Sequence, residues 1–113
     1  MGMQTNVFHE RATAAVAIDY EFTPEGEVEL LAVRVHLSAA GGAVEDLVIA
    51  LDSGTATAHD VVLSTTAMNA AADVHFQPDT PFHIAKGDVL DVKYTNTNLR
   101  TYGLDIVYRK LSF

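Results

Sequence analysis

Apolar and polar residues alternate with period two along most of this chain, the spacing that sends successive side chains to opposite faces of a β-strand. Ala14, Val16, Ile18, Tyr20 and Phe22 alternate with Asp19 and Glu21, and Leu31, Val33, Val35 and Leu37 alternate with Arg34, His36 and Ser38. Shorter runs follow: Leu47, Ile49 and Leu51; Val61 and Leu63; Val74 and Phe76. The clearest come last, Leu90, Val92 and Tyr94 against Asp91, Lys93 and Thr95, then Tyr102, Leu104, Ile106 and Tyr108 against Asp105 and Arg109. Each apolar phase predicts a strand with one buried face.

Turn-forming clusters separate the runs: Pro24-Glu25-Gly26, Ala39-Ala40-Gly41-Gly42, Asp52-Ser53-Gly54, Gln77-Pro78-Asp79-Thr80-Pro81, Lys86-Gly87-Asp88 and Asn96-Thr97-Asn98. Each supplies a residue that tolerates positive φ or presets a turn. Strands so punctuated predict an all-β, antiparallel two-sheet sandwich of jelly-roll type with about eight strands. Residues 66–71 are the one helical candidate, a short turn that Thr66 would cap. Residues 1–113 read as a single domain, with 1–12 an extended N-terminal arm.

Composition narrows the reading. Apolar residues make up 49% of the sequence, enough for a core, and no run reaches the roughly 20 apolar residues of a spanning helix. The start has no basic segment followed by an apolar stretch, so no secretory signal is expected. Cysteine is absent, which rules out disulfides and thiolate metal sites. The net charge of −8 argues against nucleic acid as a partner, and no membrane association is expected. Charge is uneven along the chain: ten acids face two bases through Asp60, and five face five from Val61 onward. That asymmetry suits a solvated acidic face, or two unlike surfaces meeting head to tail.

The search for chemistry yields little. His9, His36, His59, His75 and His83 lack the short spacings of metal motifs, so no metal or other cofactor is expected. Asp52-Ser53-Gly54-Thr55 and Lys86-Gly87-Asp88 resemble calcium loops only in their oxygen content and read as turns. Neither a nucleophile elbow nor an ordered serine, histidine and carboxylate set is present, so the chain is expected not to be an enzyme. Tyr20, Tyr94, Tyr102 and Tyr108 all fall on apolar phases and read as core, which leaves a sugar little to stack on.

The stretch Phe82-His83-Ile84-Ala85-Lys86-Gly87-Asp88-Val89-Leu90-Asp91-Val92-Lys93-Tyr94-Thr95-Asn96-Thr97-Asn98, followed by Arg100-Thr101-Tyr102-Gly103-Leu104, resembles the closing strands of small β-sandwich virion proteins of tailed bacteriophages, among them capsid decoration or cement proteins. The segment from Leu31 to Gly41 is similar to such proteins as well. This resemblance implies a noncatalytic protein on the capsid exterior, made in the host cytoplasm, that binds the major capsid protein and self-associates as a dimer or trimer. A neck or tail position, or a ligand-binding sandwich that takes carbohydrate, are the alternatives. The family has no motif to transfer. The residues themselves suggest contacts at Met3, Val7 and Phe8 in the arm, at Ala40, Gly41 and Gly42, and at Arg109 and Phe113 near the end. Phe8 and Phe113 serve equally well as plugs closing the core.

Overall fold

The computed structural model describes residues 7–111 of the chain. Nine strands lie in that span: Val7–Ala14 (β1), Ile18–Phe22 (β2), Val28–Leu37 (β3), Asp46–Asp52 (β4), Val61–Ala67 (β5), Asp73–Phe76 (β6), Phe82–Ile84 (β7), Val89–Tyr94 (β8) and Tyr102–Lys110 (β9), with a 3₁₀ turn at Thr57–His59. Every pairing is antiparallel. They form two sheets, one ordered β1-β9-β3-β6 with β7 also paired to β3, the other β2-β8-β4-β5. The expected all-β, two-sheet architecture is present.

The inward phases of both sheets make one core. Leu30, Val33, Val35 and Leu37 of β3, Leu47 and Ile49 of β4, Leu90 and Val92 of β8, and Leu104 and Ile106 of β9 are all buried in it. Truncating any one to alanine costs about 2–5 kcal/mol by lost transfer energy and residual cavity. Tyr94 and Tyr102 are buried with them, and Tyr20 and Tyr108 pack half-buried against the cluster.

β6 and β7 are one sheet edge broken in two. β6 pairs with Val33 to His36 and β7 with Val28 to Leu30 of the same strand. Between them residues 77–81 face only Leu31 and Ala32, and Pro78 and Pro81 have no N–H for the ladder, so the segment loops out.

Several expectations need correction. The run over 14–22 is two strands, not one: β1 ends at Ala14, β2 starts at Ile18 in the other sheet, and Val16 between them is 57% exposed. The β3–β9 register shifts between Leu30 and Ala32, so Leu31 is an extra residue and leaves the buried phase. No helical turn forms at 66–71. There the Thr66 backbone pairs with Leu47 instead of capping, Met68 is buried, and Ala71 N–H closes a tight turn onto Met68 O at 3.2 Å. The 3₁₀ turn lies instead at Thr57–His59, closed by Asp60 N–H to Thr57 O at 3.1 Å. Val61 is 45% exposed although its phase predicts burial, because β5 ends its sheet.

Candidate functional site

Both sheets interleave strands from the two halves of the sequence, so the acidic first half does not become an acidic end of the molecule. Charge is sorted by sheet face instead. On the outward phase of the five-stranded sheet lie Arg11, Arg34, Arg109, His9, His36, His75 and His83, against Glu29, Asp73 and Asp105. The outward phase of the four-stranded sheet carries Asp19, Glu21, Asp46, Asp52 and Asp91, with Lys93 its one cation.

The five-stranded face, whose three arginines balance its three carboxylates, is organised around Asp105. Strand register sets Arg11, Asp105, Arg34 and His75 in one row across β1, β9, β3 and β6, with Thr13, Gly103, His36 and Asp73 in the next. The Asp105 side chain, only 17% exposed, receives His9 Nδ1 at 2.9 Å, Arg11 Nε at 3.4 Å and Arg34 Nη1 at 3.7 Å. At that distance His9 Nδ1 donates to the carboxylate, which fixes the proton on Nδ1. One carboxylate cannot neutralise two guanidinium groups, so the row keeps a net positive charge. His36 pairs with Asp73 across the next strand boundary at 2.5 Å.

Gly103 gives this face its shape. Nothing lies within 4 Å of where its Cβ would stand, and the missing side chain opens a shallow depression of about 870 Å³ bordered by Arg11, Arg34, His36 and His75 together with the carboxylates Asp73 and Asp105. The two arginines are more than half exposed. Ion pairs that open to water are each worth only about 0–1 kcal/mol, so a guanidinium here exchanges its internal partner for an incoming anion at little cost.

A second cleft, of about 730 Å³, lies among the Thr23 to Glu27 loop, Glu10, Glu21, Tyr108 and Lys110. Beside it Phe8 stacks on Tyr108 with centroids 5.8 Å apart, Tyr108 tilts against Phe22 at 4.8 Å, and Lys110 Nζ sits 4.5 Å above the Phe8 ring. The Tyr20 hydroxyl donates to Glu10 beneath this cluster. Burial, and then the Glu10 carboxylate as hydrogen-bond partner and as charge, push the Tyr20 hydroxyl up to about 12.

The expected contact residues disperse. Val7 and Phe8 belong to β1, paired residue by residue with β9, so this part of the expected arm is a sheet edge. Phe8 is 37% exposed and stacks on Tyr108, which itself packs against the core. The loop at 40–42 is tied inward. Arg100 Nε donates to Ala40 O at 2.9 Å, Asn98 Nδ2 to Gly41 O at 2.7 Å, Gly41 N–H to Met68 O at 2.9 Å and Gly42 N–H to Asn69 O at 3.1 Å. Arg109 is half-buried with its Nη1 3.4 Å from Glu29. Met3 and Phe113 lie outside the described residues. The cluster at Asp105 went unseen because its members are 96 residues apart at most and share only a sheet register.

Among the described residues no group of three or more His, Cys, Asp or Glu is placed to hold a metal ion. The calcium-like loops spend their oxygens on backbone. Asp88 accepts from Gly54 N–H at 2.9 Å and from Ala85 N–H at 3.2 Å, and Asp60 accepts from Ser53 N–H at 2.7 Å. No protein-family model matches this chain, and none of the curated proteins does.

Proposed function

We propose that this chain is a noncatalytic structural protein of a virion, of the capsid decoration type, that attaches to the major capsid lattice through the outward face of its five-stranded sheet. The observation that carries the reading is the Arg11, Arg34 and His9 cluster around Asp105. In a chain of net charge −8 it sets two exposed guanidinium groups on one shared carboxylate, on a formally neutral face opposite an acidic one, and an open surface of this kind suits acidic groups on the flat surface of another protein more than an enclosed substrate. The strand orders β1-β9-β3-β6 and β2-β8-β4-β5 support the jelly-roll topology, because each sheet interleaves early and late strands as two nested Greek keys do. In this reading the protein sits on the capsid exterior and self-associates.

The test is to titrate purified protein onto undecorated capsids and measure occupancy. Saturable, stoichiometric binding is expected, and replacing Arg11 and Arg34 together by glutamate lowers affinity at least about tenfold. Binding that never saturates sinks the reading.

The Gly103 depression favours a second reading, an anionic small ligand such as an acidic sugar seated between Arg11 and Arg34. A reproducible acidic-glycan hit that the same double substitution removes supports it over lattice attachment.

A further inference from the structure

Four edges end the two sheets, and three of them are guarded against pairing with another chain. β1 carries His9, Glu10 and Arg11, β2 carries Asp19 and Glu21, and the β6–β7 edge is short, interrupted by prolines and charged at Asp73. β5 is different. Val61–Ala67 is seven residues long and has no ionisable side chain, and Val61 and Val62 are 45% and 60% exposed. Among the described residues its one strand neighbour is β4, which leaves its other side as a sheet edge.

We propose that β5 is the seam of a symmetric dimer, in which β5 of one copy adds antiparallel to β5 of a second copy and joins two four-stranded sheets into one. The charge pattern points to a second copy as the occupant. In a two-fold antiparallel contact a strand meets its own sequence reversed, so a charged edge sets like charges close together, as β2 would with Asp19 and Glu21. β5 brings no charge to the seam. Elsewhere two bodies of charge −8 repel, and this neutral stretch is where they approach at least cost.

The extra residue in β5 at its β4 register shift, Leu63, twists the strand and divides the seam into Val61–Val62 and the longer Ser64–Ala67. A contact this short falls well below the roughly 1,600 Å² of a standard interface, so the dimer is weak, with Kd on the order of 10 μM to 1 mM. The inference rests on the self-association in the reading above but not on capsid binding, and its test measures the dimer alone.

Sedimentation equilibrium from about 1 μM to about 1 mM, with amide hydrogen exchange at both ends of the range, decides it. A monomer–dimer equilibrium is expected, with exchange across 61–67 slowed at high concentration. Added salt strengthens the dimer by screening the repulsion of like-charged bodies. Val62→Lys and Thr65→Lys each weaken it at least about tenfold while circular dichroism and Tm match the parent, whereas Glu21→Lys on the far edge of the same sheet does not weaken it. If either lysine variant fails to fold, the exchange of the unmodified protein still decides. A chain that stays monomeric throughout overturns the proposal and leaves the edge to a strand of another protein. A dimer with unprotected β5 amides, one loosened by salt, or one that survives both lysine substitutions also overturns it.

Discussion

Asn96 stands in the turn after β8 with φ of 55°, fully buried. Its Nδ2 donates to Val16 O at 2.8 Å and to Arg100 O at 2.9 Å, while its Oδ1 accepts from Arg100 N–H at 2.9 Å. Asparagine tolerates the left-handed region better than other non-glycine residues. Asn96→Ala strands three backbone groups and is expected to cost about 2–4 kcal/mol in urea unfolding. Asp91 is the opposite case. Its Oδ1 is buried without a partner, and burial, partly opposed by Lys93, raises its pKa above 3.8. A carboxyl whose folded pKa is raised contributes most below the unfolded value and loses that contribution as pH rises through the folded one. Asp91→Asn is therefore expected to stabilise at pH 7, an advantage that disappears as pH falls below the carboxyl's ordinary value of 3.8, read from Tm against pH. The Asn96 turn is legible in the sequence as Asn96-Thr97-Asn98. That its amide reaches Val16, 80 positions earlier, is not, because local pattern carries no information about which loops share an end of the sandwich.

At the scale of elements, the alternation located β4, β8 and β9 and the buried half of β3, where phase and burial coincide. It missed β1 as a strand because Glu10 occupies an inward position and breaks the apolar phase. The structure accounts for that charge, since Glu10 accepts the Tyr20 hydroxyl and ties β1 of one sheet to β2 of the other. This tie has a signature in alkali. Tyr20 is raised from 10.0 to about 12, so the stability it confers is complete below pH 10 and is lost as pH rises through about 12. Tyr20→Phe is expected to flatten the fall of Tm across that window. Tyr94 and Tyr108, both raised chiefly by burial, leave a smaller residual slope. The bulge at Leu31 and the break between β6 and β7 were illegible for another reason. A register shift is a property of two strands, and one strand's pattern does not show it.

Over the whole molecule, charge that is lopsided along the chain becomes charge divided between two faces, because strands from both halves alternate in each sheet. The two proposed contacts then respond to salt in opposite senses. Attachment through Arg11 and Arg34 weakens as salt rises, while β5 pairing strengthens, and one salt titration read by capsid occupancy and by sedimentation separates them. The same interleaving governs how the chain reaches its fold. Among the described residues β1 pairs only with β9 and β2 only with β8, so the first two strands of the span wait for the last two before either finds a neighbour. Long loops must close before those pairs reward it, which makes folding slow. A chain stopped before Tyr102 has made most of its core residues yet lacks the strand that joins β1 to β3, and it is a substrate for chaperones rather than a smaller version of the domain.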